Sequence, residues 1–117
     1  MKRFRSSAAL RGEGRFIKQS GPIGRFGHVI IQVECLEASQ AISIAWAVSE
    51  DAIPTFFRDS VVRGILRLFE PGAKYAGYSS DGLVVRVVGG TFHPTDSNEL
   101  SFELAAAAAF NNAIEGG

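Results

Sequence analysis

The sequence lacks several features that would mark a specialised class of protein. It has a single cysteine, Cys35, so the chain cannot form an internal disulfide or a multi-cysteine metal site. No apolar run approaches the ~18 residues of a membrane helix, and the basic start leads into residues 11–14 rather than a hydrophobic signal core. We therefore expect a cytoplasmic protein without membrane contact.

The chain also lacks an excess of charge of either sign. Twelve Lys and Arg residues balance twelve Asp and Glu residues, so attraction of the whole molecule to nucleic acid is not indicated. Seven of the twelve basic residues nevertheless lie in the first 25 positions, with Glu13 as the only acid. A solvated basic arm and a local binding segment are both compatible with this distribution.

The 117 residues, 46% hydrophobic and 21% charged, are typical of one globular domain. Patterns of apolar and β-branched residues predict strands over residues 14–19, 28–35, 41–48 and 82–88. Apolar residues at 57, 61, 65 and 68 predict an amphipathic helix between Pro54 and Pro71. We interpret Gly64 in this helix as a point of close approach to the sheet.

A second helix is predicted to begin at Asp96, which could form a capping box with Glu99. Its predicted inner face contains Leu100, Leu104 and two alanines, 107 and 108. The order of three strands, helix, strand and helix predicts an α+β two-layer sandwich, with both helices on one face of a four-stranded sheet. We divide the chain into a basic arm, residues 1–12, and a domain, residues 13–117.

Glycines at three-residue intervals mark the stretch QSGPIGRFGH, residues 19–28. A P-loop requires Lys-Ser or Lys-Thr before a helix, and the dinucleotide fingerprint requires a turn from strand to helix. This stretch joins two strands and ends in His28, so neither nucleotide motif fits. A glycine-containing hairpin is the plain interpretation.

No catalytic or metal motif is present, so we expect no enzyme activity, metal or cofactor in this chain. His28, Cys35 and Glu99 lack the spacing of zinc ligands, and no serine or cysteine has a nucleophile signature. His93 follows a Gly-Gly-Thr-Phe turn and should be displayed outward. An incidental surface histidine and a functional one both fit that position.

Three ordered segments together resemble one family: GRFIKQSGPIGRFGHVIIQVE (residues 14–34), IPTFFRDSVVRGI (53–65) and GTFHPTDSNELSFELAAAAAF (90–110). They are similar to the fourth domain of translation elongation factor G and its relatives, including ribosomal protection proteins of tetracycline resistance. The resemblance covers residues 13–114. It implies a fold with a left-handed βαβ crossover, contrary to the usual right-handed rule.

The resemblance also implies a function in translocation on the ribosome. In that family the domain reaches the decoding region of the small subunit, where it meets tRNA, mRNA and rRNA through two tip loops and a histidine. The implied tip residues here are Ser20, Gly21, Pro22, Ile23, Gly24 and Arg25 in the first loop, and Gly90, Thr91, Phe92 and His93 in the second.

The sequence departs from the family pattern in the first loop. Gly21-Pro22-Ile23-Gly24 replaces the usual Gly-Gly-Arg-Gly, which removes one positive charge that Arg25 could replace in part. No segment resembles the GTP-binding domain, so GTP and Mg²⁺ are expected only on domains absent from this chain. The chain is therefore interpreted as a fragment that works with other domains of the same factor, or as a diverged stand-alone domain that binds proteins instead of the ribosome.

Overall fold

The computed structural model describes residues 2–20, 23–36 and 40–116. The strands are β1 (Lys2–Arg3), β2 (Leu10–Ser20), β3 (Ile23–Cys35), β4 (Ser43–Trp46), β5 (Tyr78–Ser79) and β6 (Leu83–Thr91). The helices are α1 (Arg58–Leu66), flanked by 3₁₀ turns at Thr55–Phe57 and Arg67–Phe69, and α2 (Glu99–Gly116). No helix among the described residues is both long and apolar enough to cross a membrane.

Four strands form the main sheet in the order β2-β3-β6-β4. The β2–β3 and β3–β6 pairs are antiparallel, whereas β4 and β6 are parallel and are connected through α1. A bulge between β3 and β6 places Ile30 opposite Gly89 and Ile31 opposite Val87, which leaves Val88 as an extra residue. The predicted α+β sandwich of four strands and two helices is confirmed.

Glycines of the sheet allow α2 to lie directly on β2 and β3. A Cβ placed on Gly12, Gly14 or Gly27 would lie 2.0, 2.1 and 2.3 Å from the backbone oxygens of Ala109, Ala105 and Ser101, respectively. The facing residues of α2 recur every four positions, so they form one row along the helix. Both strands are longer than their sequence patterns indicate, because these glycines are packing positions within strands rather than turn residues.

The inner face of α2 differs from the one predicted. Leu100 and Leu104 are 50% and 39% exposed, and the buried residues are instead Ser101, Phe102, Ala105, Ala106, Ala109, Phe110 and Ala113. Small side chains occupy the contact row because helix and glycine backbone approach so closely. Phe102 and Phe110 supply the bulk of the core from this helix, worth roughly 1.5–3 kcal/mol each.

Helix α1 packs against α2 rather than directly against the sheet at Gly64. A Cβ on Gly64 would lie 2.1 Å from the backbone oxygen of Glu103, so the predicted close approach occurs, but to the other helix. The Glu103 carboxylate receives hydrogen bonds from Arg63, at 3.4 Å, and from Arg67. These contacts join the two helices in one layer.

The N-terminal segment is held by contacts with distant parts of the chain. Strand β1 pairs with β5, and β2 already begins at Leu10. The Phe4 ring stacks on Tyr78 at a centroid distance of 4.5 Å and meets Tyr75 edge-on at 5.2 Å. The sequence pattern missed this attachment because one aromatic residue, rather than a periodic apolar run, provides it.

Candidate functional site

The β2–β3 hairpin extends beyond the end of β6. Strand β6 ends at Thr91, opposite His28, whereas the β2–β3 ladder continues to the pair Ser20 and Ile23. Residues 93–97 lie beside this extension: the Phe26 N–H donates to the Asp96 carbonyl at 3.1 Å, and Phe26 forms a parallel bridge with Ser97. We call residues 18–20, 23–26 and 91–97 the tip.

The turn over residues 93–97 is held by its own hydrogen bonds. The His93 N–H donates to the Ser97 hydroxyl and the Ser97 N–H donates to the His93 carbonyl, both at 2.9 Å. The Asp96 N–H donates to Nδ1 of His93 at 3.2 Å. Because side chain and backbone each contribute, this turn is preorganised before any ligand binds.

His93 presents one side of its ring to solvent. Its side chain is 51% exposed, as expected from the sequence, and its ring lies 6.1 Å from the Phe26 ring. A backbone N–H can only donate, so Nδ1 of His93 is an acceptor and the proton of the neutral ring is on Nε2. The geometry therefore leaves Nε2–H as the donor that a ligand could use.

A polar network crosses three strands directly below the tip. His28 is only 8% exposed, and it is hydrogen-bonded through Nε2 to the Glu13 carboxylate at 2.5 Å and through Nδ1 to the Thr91 hydroxyl at 2.9 Å. The His28 hydrogen bond, assisted by the nearby charge of Arg15 and opposed by burial, lowers the pKa of Glu13 below its usual value. The network ties β2, β3 and β6 together where the hairpin leaves the sheet.

The family model for elongation factor G, domain IV, matches residues 4–117. The chain therefore belongs to this family. Elongation factor G of Aquifex pyrophilus is 35% identical over 104 residues, which cover 89% of this chain and 15% of the relative. Elongation factor G of Fervidobacterium nodosum is 33% identical over 105 residues, covering 90% of this chain and 15% of the relative.

Solved structures support the same assignment of fold. A crystal structure of a protein from Thermus thermophilus matches with a TM-score of 0.79 and 27% identity, covering 92% of this chain and 16% of that one. The chain thus spans about 15% of the length of the curated elongation factor G relatives that it matches. The chain is therefore homologous to one domain, the fourth, of elongation factor G.

Several tip residues implied by the family resemblance reach the surface of this elongation factor G domain. Arg25, Thr91 and His93 are exposed, and they lie on the two adjoining bends. The backbones of Ser20 and Ile23 close the described end of the hairpin. Gly21 and Pro22 lie outside the described residues.

Three other implied tip residues, all partly exposed, also make contacts within the domain. A Cβ on Gly24 would lie 2.6 Å from the Asp96 carboxylate, and one on Gly90 would lie 2.4 Å from both the His28 carbonyl oxygen and Cδ1 of Ile53. Phe92 is half-buried, with its ring 5.7 Å from that of Phe57. Through these contacts the three residues help to fix the conformation of the two bends.

Sequence patterns missed the positions of Asp96 and Lys18. Asp96 was predicted to cap α2, but Asn98 caps it, because the Asn98 side chain accepts from the Ser101 N–H at 2.8 Å. The Asp96 backbone carbonyl instead accepts a hydrogen bond from the Phe26 N–H. Lys18 lies directly opposite Arg25 in the hairpin, and only the strand register reveals this pairing.

Proposed function

We propose that this domain contacts RNA on the ribosome during elongation. In this proposal the tip meets the small subunit, tRNA or mRNA during translocation, and the chain itself catalyses no reaction. GTP hydrolysis, with its Mg²⁺, would be performed by domains of the factor that lie outside this chain. Cytoplasmic localisation follows from the same proposal because its partners are ribosomal.

The adjoining bends of the tip are the observation that carries the proposal. The turn over residues 93–97, held by its own hydrogen bonds, places His93 beside the basic end of the β2–β3 hairpin. The hydrogen bond between Phe26 and Asp96 joins the turn to the hairpin. RNA is recognised largely through its shape, phosphates and 2′-hydroxyl groups, which such donors can contact. Preorganisation also reduces the entropy lost on binding.

Binding of the 117-residue chain to isolated small ribosomal subunits tests the proposal. We compare the unmodified chain with His93→Ala, and with Arg5→Ala as a control near Cys35, at the other end of β3. We expect His93→Ala to weaken binding about 3- to 10-fold, the worth of about one hydrogen bond, and Arg5→Ala to bind as the unmodified chain does. Thermal unfolding of each variant establishes that it is folded.

Absence of small-subunit binding by the folded, unmodified chain would contradict the proposal. Equal affinity of His93→Ala and the unmodified chain would show that His93 does not contribute to the contact. A protein partner bound without RNA and without salt sensitivity would support the stand-alone interaction domain instead, because phosphate contacts weaken steeply as salt rises.

A further inference from the structure

Two cations face each other across the tip hairpin. Lys18 and Arg25 are a directly opposed pair in the β2–β3 ladder, which places their Cβ atoms about 5 Å apart. Both side chains are exposed, and no described side chain forms a salt bridge with either. Like charges in this position destabilise a hairpin, so the pair has a cost without a compensating partner within the described residues.

The pair lies on the helix side of the hairpin, away from Asp96. Gly27 faces Ser101 of α2, and Arg25, two residues earlier in the same strand, points to that same side. Gly24 faces the opposite side, where its Cβ position meets the Asp96 carboxylate. The acid of the tip is therefore directed to the face opposite the two cations.

On this side of the hairpin, the first turn of α2 contains the acidic residue Glu99. It is exposed and forms no salt bridge with either cation among the described contacts. The positive charge of Lys18 and Arg25 is consequently available to an external anion.

We propose that Lys18 and Arg25 together hold one phosphodiester group of RNA. The inference rests on the proposed ribosomal function and assigns this face of the hairpin to the RNA backbone. A guanidinium can donate two parallel hydrogen bonds to phosphate oxygens, and an ammonium adds a point charge from the second side. An anion between the two cations converts their repulsion into attraction.

A double-mutant cycle tests whether the two residues share one phosphate. Small-subunit binding is measured for the unmodified chain, Lys18→Gln, Arg25→Gln and the double variant, with Arg5→Gln as a control of equal charge change. We expect each single variant to bind about 10-fold more weakly, and the double variant to lose little more, because one contact is lost only once. Between about 50 and about 200 mM salt, the slope of log K against log[salt] should fall by about 0.7–0.9 in all three variants.

The outcomes separate this inference from the proposed function. Losses that multiply, to about 100-fold in the double variant, would assign the residues to separate phosphates and overturn the shared contact. Unchanged binding in both single variants, or an equal loss in Arg5→Gln, would overturn it while small-subunit binding by the unmodified chain still stood. Failure of the unmodified chain to bind would overturn both.

Thermal unfolding provides a second readout. Lys18→Gln and Arg25→Gln should each raise Tm, because each removes the cross-strand repulsion. Weaker RNA binding together with a higher Tm cannot be caused by loss of the fold. A lower Tm for Lys18→Gln would contradict the repulsive pair on which the inference stands.

Discussion

Gly14→Ala should strongly destabilise the domain, because Gly14 lies under α2. A Cβ at this position would be 2.1 Å from the carbonyl oxygen of Ala105 and 2.4 Å from the nitrogen of Ala109, whereas ordinary contacts begin near 3.4 Å. Both atoms belong to the main chain of a helix, so no side-chain rotation can relieve the overlap.

The magnitude follows from what has to move. Restoring a normal contact requires α2 to lift from β2 by roughly 1 Å, and closely packed interiors resist such a shift. Phe102 and Phe110, both fully buried on α2, would lose part of their packing. Overpacking of this kind typically costs about 1–3 kcal/mol, and we expect about 3 here, a large part of the ~5–15 kcal/mol that stabilises a domain.

Urea unfolding of Gly14→Ala measures this loss against a matched control. Gly77→Ala adds the same methyl group where nothing lies within 4 Å, so its free energy of unfolding should change by less than about 1 kcal/mol. Adding Ala109→Gly should not rescue Gly14→Ala, because the clash is with backbone atoms. A loss below about 1 kcal/mol, or rescue by Ala109→Gly, would refute the reasoning.

Two further predictions concern a helix cap and a titrating carboxylate. Asn98→Ala should lower the free energy of unfolding, measured in urea, by about 1 kcal/mol, because the Ser101 N–H loses its acceptor. An unchanged free energy of unfolding would show that Asn98 does not cap α2. The pKa of Glu13 is lowered in the folded state by its hydrogen bond with His28, so its stabilisation is present above pH 4.5 and is lost as pH falls below that value. Unfolding measured against pH should show a shallower acid decline in Glu13→Gln than in the control Glu70→Gln, and identical declines would contradict this linkage.

The sequence patterns were sufficient for the elements of the fold but not for their contacts. Alternating and helical periodicities identified the strands of the main sheet and both helices, because burial of one face imposes those periods. They placed Leu100 and Leu104 inside, since hydrophobicity is the only burial signal in such a pattern. Because α2 lies so close to the glycines of the sheet, its alanines are buried and these two leucines are exposed.

The candidate site depended still more on long-range placement. The family resemblance implied two bends as the site, but a sequence does not state which residue opposes which across a hairpin. Lys18 was therefore missed beside Arg25, since the pairing depends on register. Asp96 was assigned to a helix start for the same reason: its partner, Phe26, is distant along the chain.

The row of glycine contacts between β2, β3 and α2 also limits which sequences can adopt this packing. At Gly12, Gly14 and Gly27 a Cβ would lie within 2.3 Å of main-chain oxygens of α2, so a larger residue in the strand cannot be matched by a smaller one in the helix. Any sequence that packs its helix at this distance must therefore have glycine at these three positions.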